Sequence, residues 1–108
     1  VPNPYSPPAF TTTGAKTPWL PDSQQSPFNA SFAVIVLGTA TYGVEYTLDD
    51  VNNSAITPAW FSDANLPAGQ TANGVTNFMF PVQGVRVNIA AIGGAGVRIV
   101  GLQGTQQP

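Results

Sequence analysis

The chain has 108 residues, 43% of them hydrophobic, with three basic and five acidic side chains and a net charge of −2. That length fits one small domain, and a charged share of 7% is far too low for a disordered polyelectrolyte. No run of like charge offers the electrostatic footprint that nucleic acid or an anionic membrane surface requires, so neither is an expected partner.

Proline divides the sequence in two, falling at 2, 4, 7, 8, 18, 21 and 27, and afterwards only at 58, 67, 81 and 108. Each proline removes a backbone donor and biases its predecessor toward extended geometry, so residues 1–29 are predicted as an extended arm preceding a domain at 30–108. The opening, VPNPYSPPAF, lacks the basic-then-apolar order of a secretory signal and reads as leaderless or already processed. Tyr5, Phe10, Trp19, Leu20 and Phe28 are spaced along this arm. Large apolar rings gain free energy only by burial, so the arm needs a surface to dock on: its own domain, a sister subunit or a larger assembly.

From residue 30 the pattern is β. SFAVIVLGTA (31–40) is rich in branched residues, and in TYGVEYTL (41–48) Tyr42, Val44, Tyr46 and Leu48 alternate with Thr41, Glu45 and Thr47. ITPAWF (56–61) reads as a short strand whose Pro58 suits an edge. VTNFMFPV and QGVRVNIAA add one or two strands, and GVRIVGL closes the series. Turn-forming residues intervene at 49–54, 62–74 and 93–96, and no helical period emerges. The predicted fold is all-β: a small jelly-roll-like antiparallel β-sandwich with a Pro-rich N-terminal arm.

Parity then places two of the three cations. Val85, Val87 and Ile89 alternate with Arg86 and Asn88, and Val97 and Ile99 flank Arg98. If the two strands form a hairpin through an odd-length IGGAG loop, the branched residues share the core and both arginines share the opposite face, beside Val100 and Leu102. Such a face is more apolar than a monomer ordinarily leaves in water and reads as a contact surface.

Catalytic equipment is sparse. Without histidine or cysteine the chain lacks the commonest general base, the thiol nucleophile and the usual transition-metal ligands, and no nucleophile-elbow, P-loop or dinucleotide motif occurs. Glu45, Asp49, Asp50 and Asp63 are the carboxylates a glycoside hydrolase could use, but adjacent Asp49 and Asp50 at a strand end read better as turn caps. Asp49, Asp50, Asn52 and Asn53 offer oxygen ligands without the spacing of a calcium loop. No catalytic residue, metal or cofactor is expected. Trp60 and Phe61 could form a sugar-stacking platform, the alternative being a core or interface role.

The succession ATYGVEYTLDD, TPAWF, LPAGQTANG and TNFMFPVQGVRVNI resembles small structural proteins encoded by tailed bacteriophages, over residues 38–102 and excluding the arm. The resemblance implies a capsid cement, or decoration, protein on the outer surface of the virion, assembled in the host cytoplasm. Such a protein binds as a homo-oligomer, dimer or trimer, across joints between major capsid protein subunits, and it is not an enzyme. Tyr5, Phe10 and Trp19 are then the expected arm anchors, with Arg86 and Arg98 as outer-face contacts. The alternative is a tail or head-fibre module that binds host carbohydrate through Trp60.

Overall fold

The computed structural model describes residues 5–21 and 28–103, so parts of the predicted arm and domain, at 1–4, 22–27 and 104–108, lie outside the described residues. Among the described residues seven strands occur: β1 (Gly14–Ala15), β2 (Ala30–Val36), β3 (Thr39–Thr47), β4 (Phe61–Ser62), β5 (Gly74–Phe78), β6 (Gly84–Gly93) and β7 (Val97–Gln103). They form two antiparallel sheets, ordered β1-β6-β3-β4 and β5-β2-β7, packed as a sandwich. Alternation decides which side chains meet between them. Phe32, Val34, Phe78, Val97 and Ile99 from one sheet face Tyr42, Val44, Val85, Val87 and Ile89 from the other, all buried.

Every branched residue that parity assigned to the core is there: Val85, Val87, Ile89, Val97 and Ile99. The predicted hairpin is not. β6 pairs with β3 and β7 pairs with β2, so the glycine cluster carries the chain from one sheet to the other. Leu37–Gly38 makes the same crossing between β2 and β3, and the two crossings lie side by side: Leu37 N–H donates to the Gly96 carbonyl at 2.8 Å. Close packing explains the glycines. A Cβ on Gly38 would overlap the Gly93 carbonyl, and Gly96, at φ 85°, would drive one into the Phe10 carbonyl. β2–β3 and β6–β7 thus form one long antiparallel ribbon folded over a corner.

This topology separates the arginines. Both point outward as expected, but Arg86 stands on the outside of the four-stranded sheet and Arg98 on the outside of the three-stranded one, so they share no face. Two other expectations shift. ITPAWF contributes only Phe61 to a strand, its preceding residues being irregular, and VTNFMFPV ends as a strand at Phe78.

The arm is paired rather than free. Tyr5 and Phe10 bridge Gly101 and Val97 along β7; the chain then crosses over, and Gly14, Ala15 and Trp19 pair with Ile89, Asn88 and Val85 along β6. It therefore covers one edge of each sheet in turn, satisfying donors that an open edge would leave unpaired. A bulge interrupts the β3–β6 ladder, where Thr41 faces Ala91 but Tyr42 faces Ile89, leaving Ala90 as the extra residue.

Candidate interaction surfaces

Four regions of surface carry the residues singled out by the sequence. The first is the arm. Trp19 sits 7% exposed in the chain's own core; its N–H donates to the Val85 carbonyl at 2.7 Å, and its ring lies where a Cβ on Gly101 would fall, 2.6 Å away. It thus touches both sheets. Tyr5 stacks on Trp19 and Trp19 on Phe32, each with ring centroids 6.2 Å apart, so the arm's rings continue the core outward. Burial raises the pKa of the Tyr5 hydroxyl. Phe10 is half-buried beneath Lys16, whose ammonium lies 5.8 Å from the ring centroid and is tied to Thr12 and the Thr13 carbonyl. Phe28 is buried as well. The arm aromatics thus dock on the chain itself, and only the half-buried Tyr5 and Phe10 retain ring surface of any extent for another molecule.

The second region is the outside of the three-stranded sheet. Register places Ile35 beside Arg98, Val75 and Val100 on either side of Ala33, and Leu102 beside Ser31. Val75 is 68% and Leu102 52% exposed. Among the described residues Arg98 is the lone charge on this face, and no carboxylate lies within ion-pair distance of it.

The third region is the outside of the four-stranded sheet. Glu45 and Arg86 are cross-strand partners, and Arg86 Nε donates to Glu45 Oε1 at 2.8 Å. The Arg86 guanidinium lies 4.0 Å from the centroid of the Trp60 ring, while Asn88 Nδ2 donates to Glu45 Oε2 at 3.4 Å. One face of Trp60 is therefore already occupied by a cation, which leaves only the other for stacking. Next to Glu45 lies a cavity of about 120 Å³. Gly43 makes its floor where the 67–69 loop crosses, a Cβ there falling 2.7 Å from the Ala68 Cα. A glycine inside the alternating TYGVEY was the available sequence signal for this close approach.

The fourth region is an aromatic end of the sandwich, which sequence reading did not assemble. Tyr46 contacts Phe61, Phe78 and Phe80 with centroids 5.9, 5.4 and 5.5 Å away. Phe61 and Phe80 are 51% and 45% exposed. Their spacing of 19 positions gave no clue that β4 and the segment after β5 meet at Tyr46.

Asp49, Asp50 and Asp63 hold loops. Asp49 Oδ2 accepts from Ala59 N–H at 2.7 Å, Asp50 Oδ1 from Asn52 N–H at 3.0 Å and Asp63 Oδ2 from Leu66 N–H at 3.0 Å. Asn53 Oδ1 likewise accepts from Ala55 N–H. Among the described residues no three acidic or metal-ligating side chains gather. No family model, curated protein or solved structure matches the chain.

Proposed function

We propose that the chain is a structural virion protein of a tailed bacteriophage, a capsid cement protein that clamps neighbouring major capsid protein subunits. The observation that carries this reading is the outside of the three-stranded sheet, where Ile35, Val75, Val100 and Leu102 share a face with one arginine. An apolar face of that kind gains free energy when a protein surface excludes water from it, and the exposed Arg98 supplies orientation at its rim. No side chain on it is arranged for chemistry, and Glu45, Asp49, Asp50 and Asp63 are tied to Arg86, Asn88 or backbone donors. The folded ribbon of β2–β3 against β6–β7 supports a jelly-roll-like description of the sandwich, and the family resemblance over 38–102 supports the virion setting.

The mechanism is mass action. A subunit that binds assembled capsid protein better than free capsid protein stabilises the shell by that difference, and a dimer or trimer multiplies modest contacts through effective concentration. It acts on the outer surface of the capsid after assembly in the host cytoplasm, without enzymatic activity.

The test is co-sedimentation with undecorated heads of the phage that encodes the chain. The wild-type chain should pellet with heads, whereas Val75→Asp with Leu102→Asp should weaken binding at least about a hundredfold, as loss of central interface contacts does. Both positions are exposed, so the variant should unfold like wild type. Heads that ignore the wild-type chain, or that bind the variant equally well, overturn the proposal.

A further inference from the structure

The cavity beside Glu45 has features that clamping a capsid does not require. Of eight charged residues in the chain, two are used here as a bonded pair, and the contacts run in series: Trp60 holds the Arg86 guanidinium, Arg86 holds Glu45, and Glu45 meets Asn88. The result is a carboxylate held by two donors, with its charge balanced, at the wall of a recess whose other walls are small. Gly43, Ala68 and the bulged Ala90 leave the space, and the hydroxyl-bearing Ser62 stands opposite Glu45 in the β3–β4 register.

Local charge decides the ligand class, and a recess of about 120 Å³ admits only an edge of the ligand. A lone carboxylate would call for a cation and a lone guanidinium for an anion, but paired they leave a neutral site with a fixed acceptor, an amide and a hydroxyl. That set matches vicinal hydroxyl groups, each of which donates and accepts at once. Preorganisation by Trp60 and Arg86 lowers the ordering cost of binding. We infer that this cavity, lined by Gly43, Glu45, Ser62, Ala68, Asn88 and Ala90, is a binding site for a hexopyranose unit, with Glu45 and Asn88 as the hydroxyl-binding groups. Trp60 is a positioning residue acting through Arg86 rather than a stacking platform. The inference goes beyond capsid binding, since this face lies opposite the apolar sheet.

The experiment is an amide-resolved NMR titration of the full chain with methyl α-glucopyranoside, methyl α-mannopyranoside and methyl α-galactopyranoside. At least one should shift the amides of Gly43, Glu45, Ala68 and Asn88 with a dissociation constant of about 1 mM, the weak end of the affinity scale. Glu45→Gln and Asn88→Ala, each with an otherwise wild-type spectrum, should weaken that binding at least about tenfold, as should Ala90→Leu, which fills the recess from an exposed strand position. The trisaccharide of the same hexose separates two sources: binding at least as tight assigns the end of a glycan, and lost binding assigns a free sugar. Absence of any shift at concentrations about tenfold above that constant, or shifts that persist in all three variants, overturns the inference.

Discussion

On the outside of the three-stranded sheet, Ile35, Val75, Val100 and Leu102 share a face with Arg98; on the outside of the four-stranded sheet, Arg86 and Asn88 are both bonded to Glu45 beside Trp60. Both faces come from the same two-residue alternation, and both stand on the same core. The difference lies in what each can offer a second molecule. An apolar face with one exposed cation stabilises contact only when a large partner covers it. A recess with fixed, charge-balanced polar groups can hold something small and hydroxylated. Outwardness alone therefore says little about function; the chemistry of the row does.

The comparison presumes that the two sheets form one rigid body, and the arm is what ties their adjoining edges. The sharpest way to break it is Trp19→Ala, which strips the ring from Gly101 and from the Tyr5–Trp19–Phe32 stack while leaving the backbone bond to Val85. Deleting a buried aromatic of this size costs about 3–5 kcal/mol, a large share of a small domain's stability. Chemical denaturation should show that loss, with exchange protection falling in β6 and β7 together. A loss below about 1 kcal/mol, the scale of a peripheral side chain, would mean that the arm decorates the sandwich without joining its sheets.

Much of this division was legible before the fold was known. Alternation in VRVNIAA and VRIVGL placed Val85, Val87, Ile89, Val97 and Ile99 inside and both arginines outside, because a buried guanidinium without a partner is costly whatever the topology. The sheet to which each strand belonged was not legible. Parity is local, whereas pairing depends on which long strand offers a complementary ladder, and β2 and β3 outcompeted the hairpin. The glycines at 94 and 96 read as a turn and are a corner, two geometries that use the same positive φ. The arm's aromatics declared a need for burial but not its destination, which the small inner residue Gly101 fixed from 82 positions away. The sugar-site residues were the least visible, since Gly43, Ala68 and Ala90 matter by the space they leave.

A smaller effect sharpens the account of the four-stranded sheet. Tyr42 lies beneath the cavity, and its hydroxyl donates to the Ala72 carbonyl at 2.6 Å. Burial raises its pKa in the folded chain above the unfolded value of about 10. The neutral hydroxyl is thus favoured by folding: its contribution is fully present below about pH 10 and is lost as pH rises through the folded value. Thermal stability should fall on that alkaline limb. Tyr42→Phe should cost about 1 kcal/mol at neutral pH, the net worth of one hydrogen bond, and flatten the limb in part, with Tyr5 supplying the rest. An unchanged limb in Tyr42→Phe would place the alkaline sensitivity elsewhere.

The smallest expected effect compares the two arginines directly. Arg86 is partly exposed, so its ion pair with Glu45 contributes only about 0.2–1 kcal/mol, and its contact with Trp60 adds a similar amount. Arg98 is exposed and has no ion pair among the described residues, so its removal should fall within about 0.5 kcal/mol of zero. Arg86→Ala should therefore lower the unfolding free energy by about 1 kcal/mol, and part of that loss should vanish at about 1 M salt, where screening weakens the pair. Arg98→Ala should leave stability unchanged at either salt concentration. If the two variants are equally stable, Arg86 is no firmer than a solvated surface cation. Glu45 would then lack the fixed geometry that distinguishes its face from the apolar one.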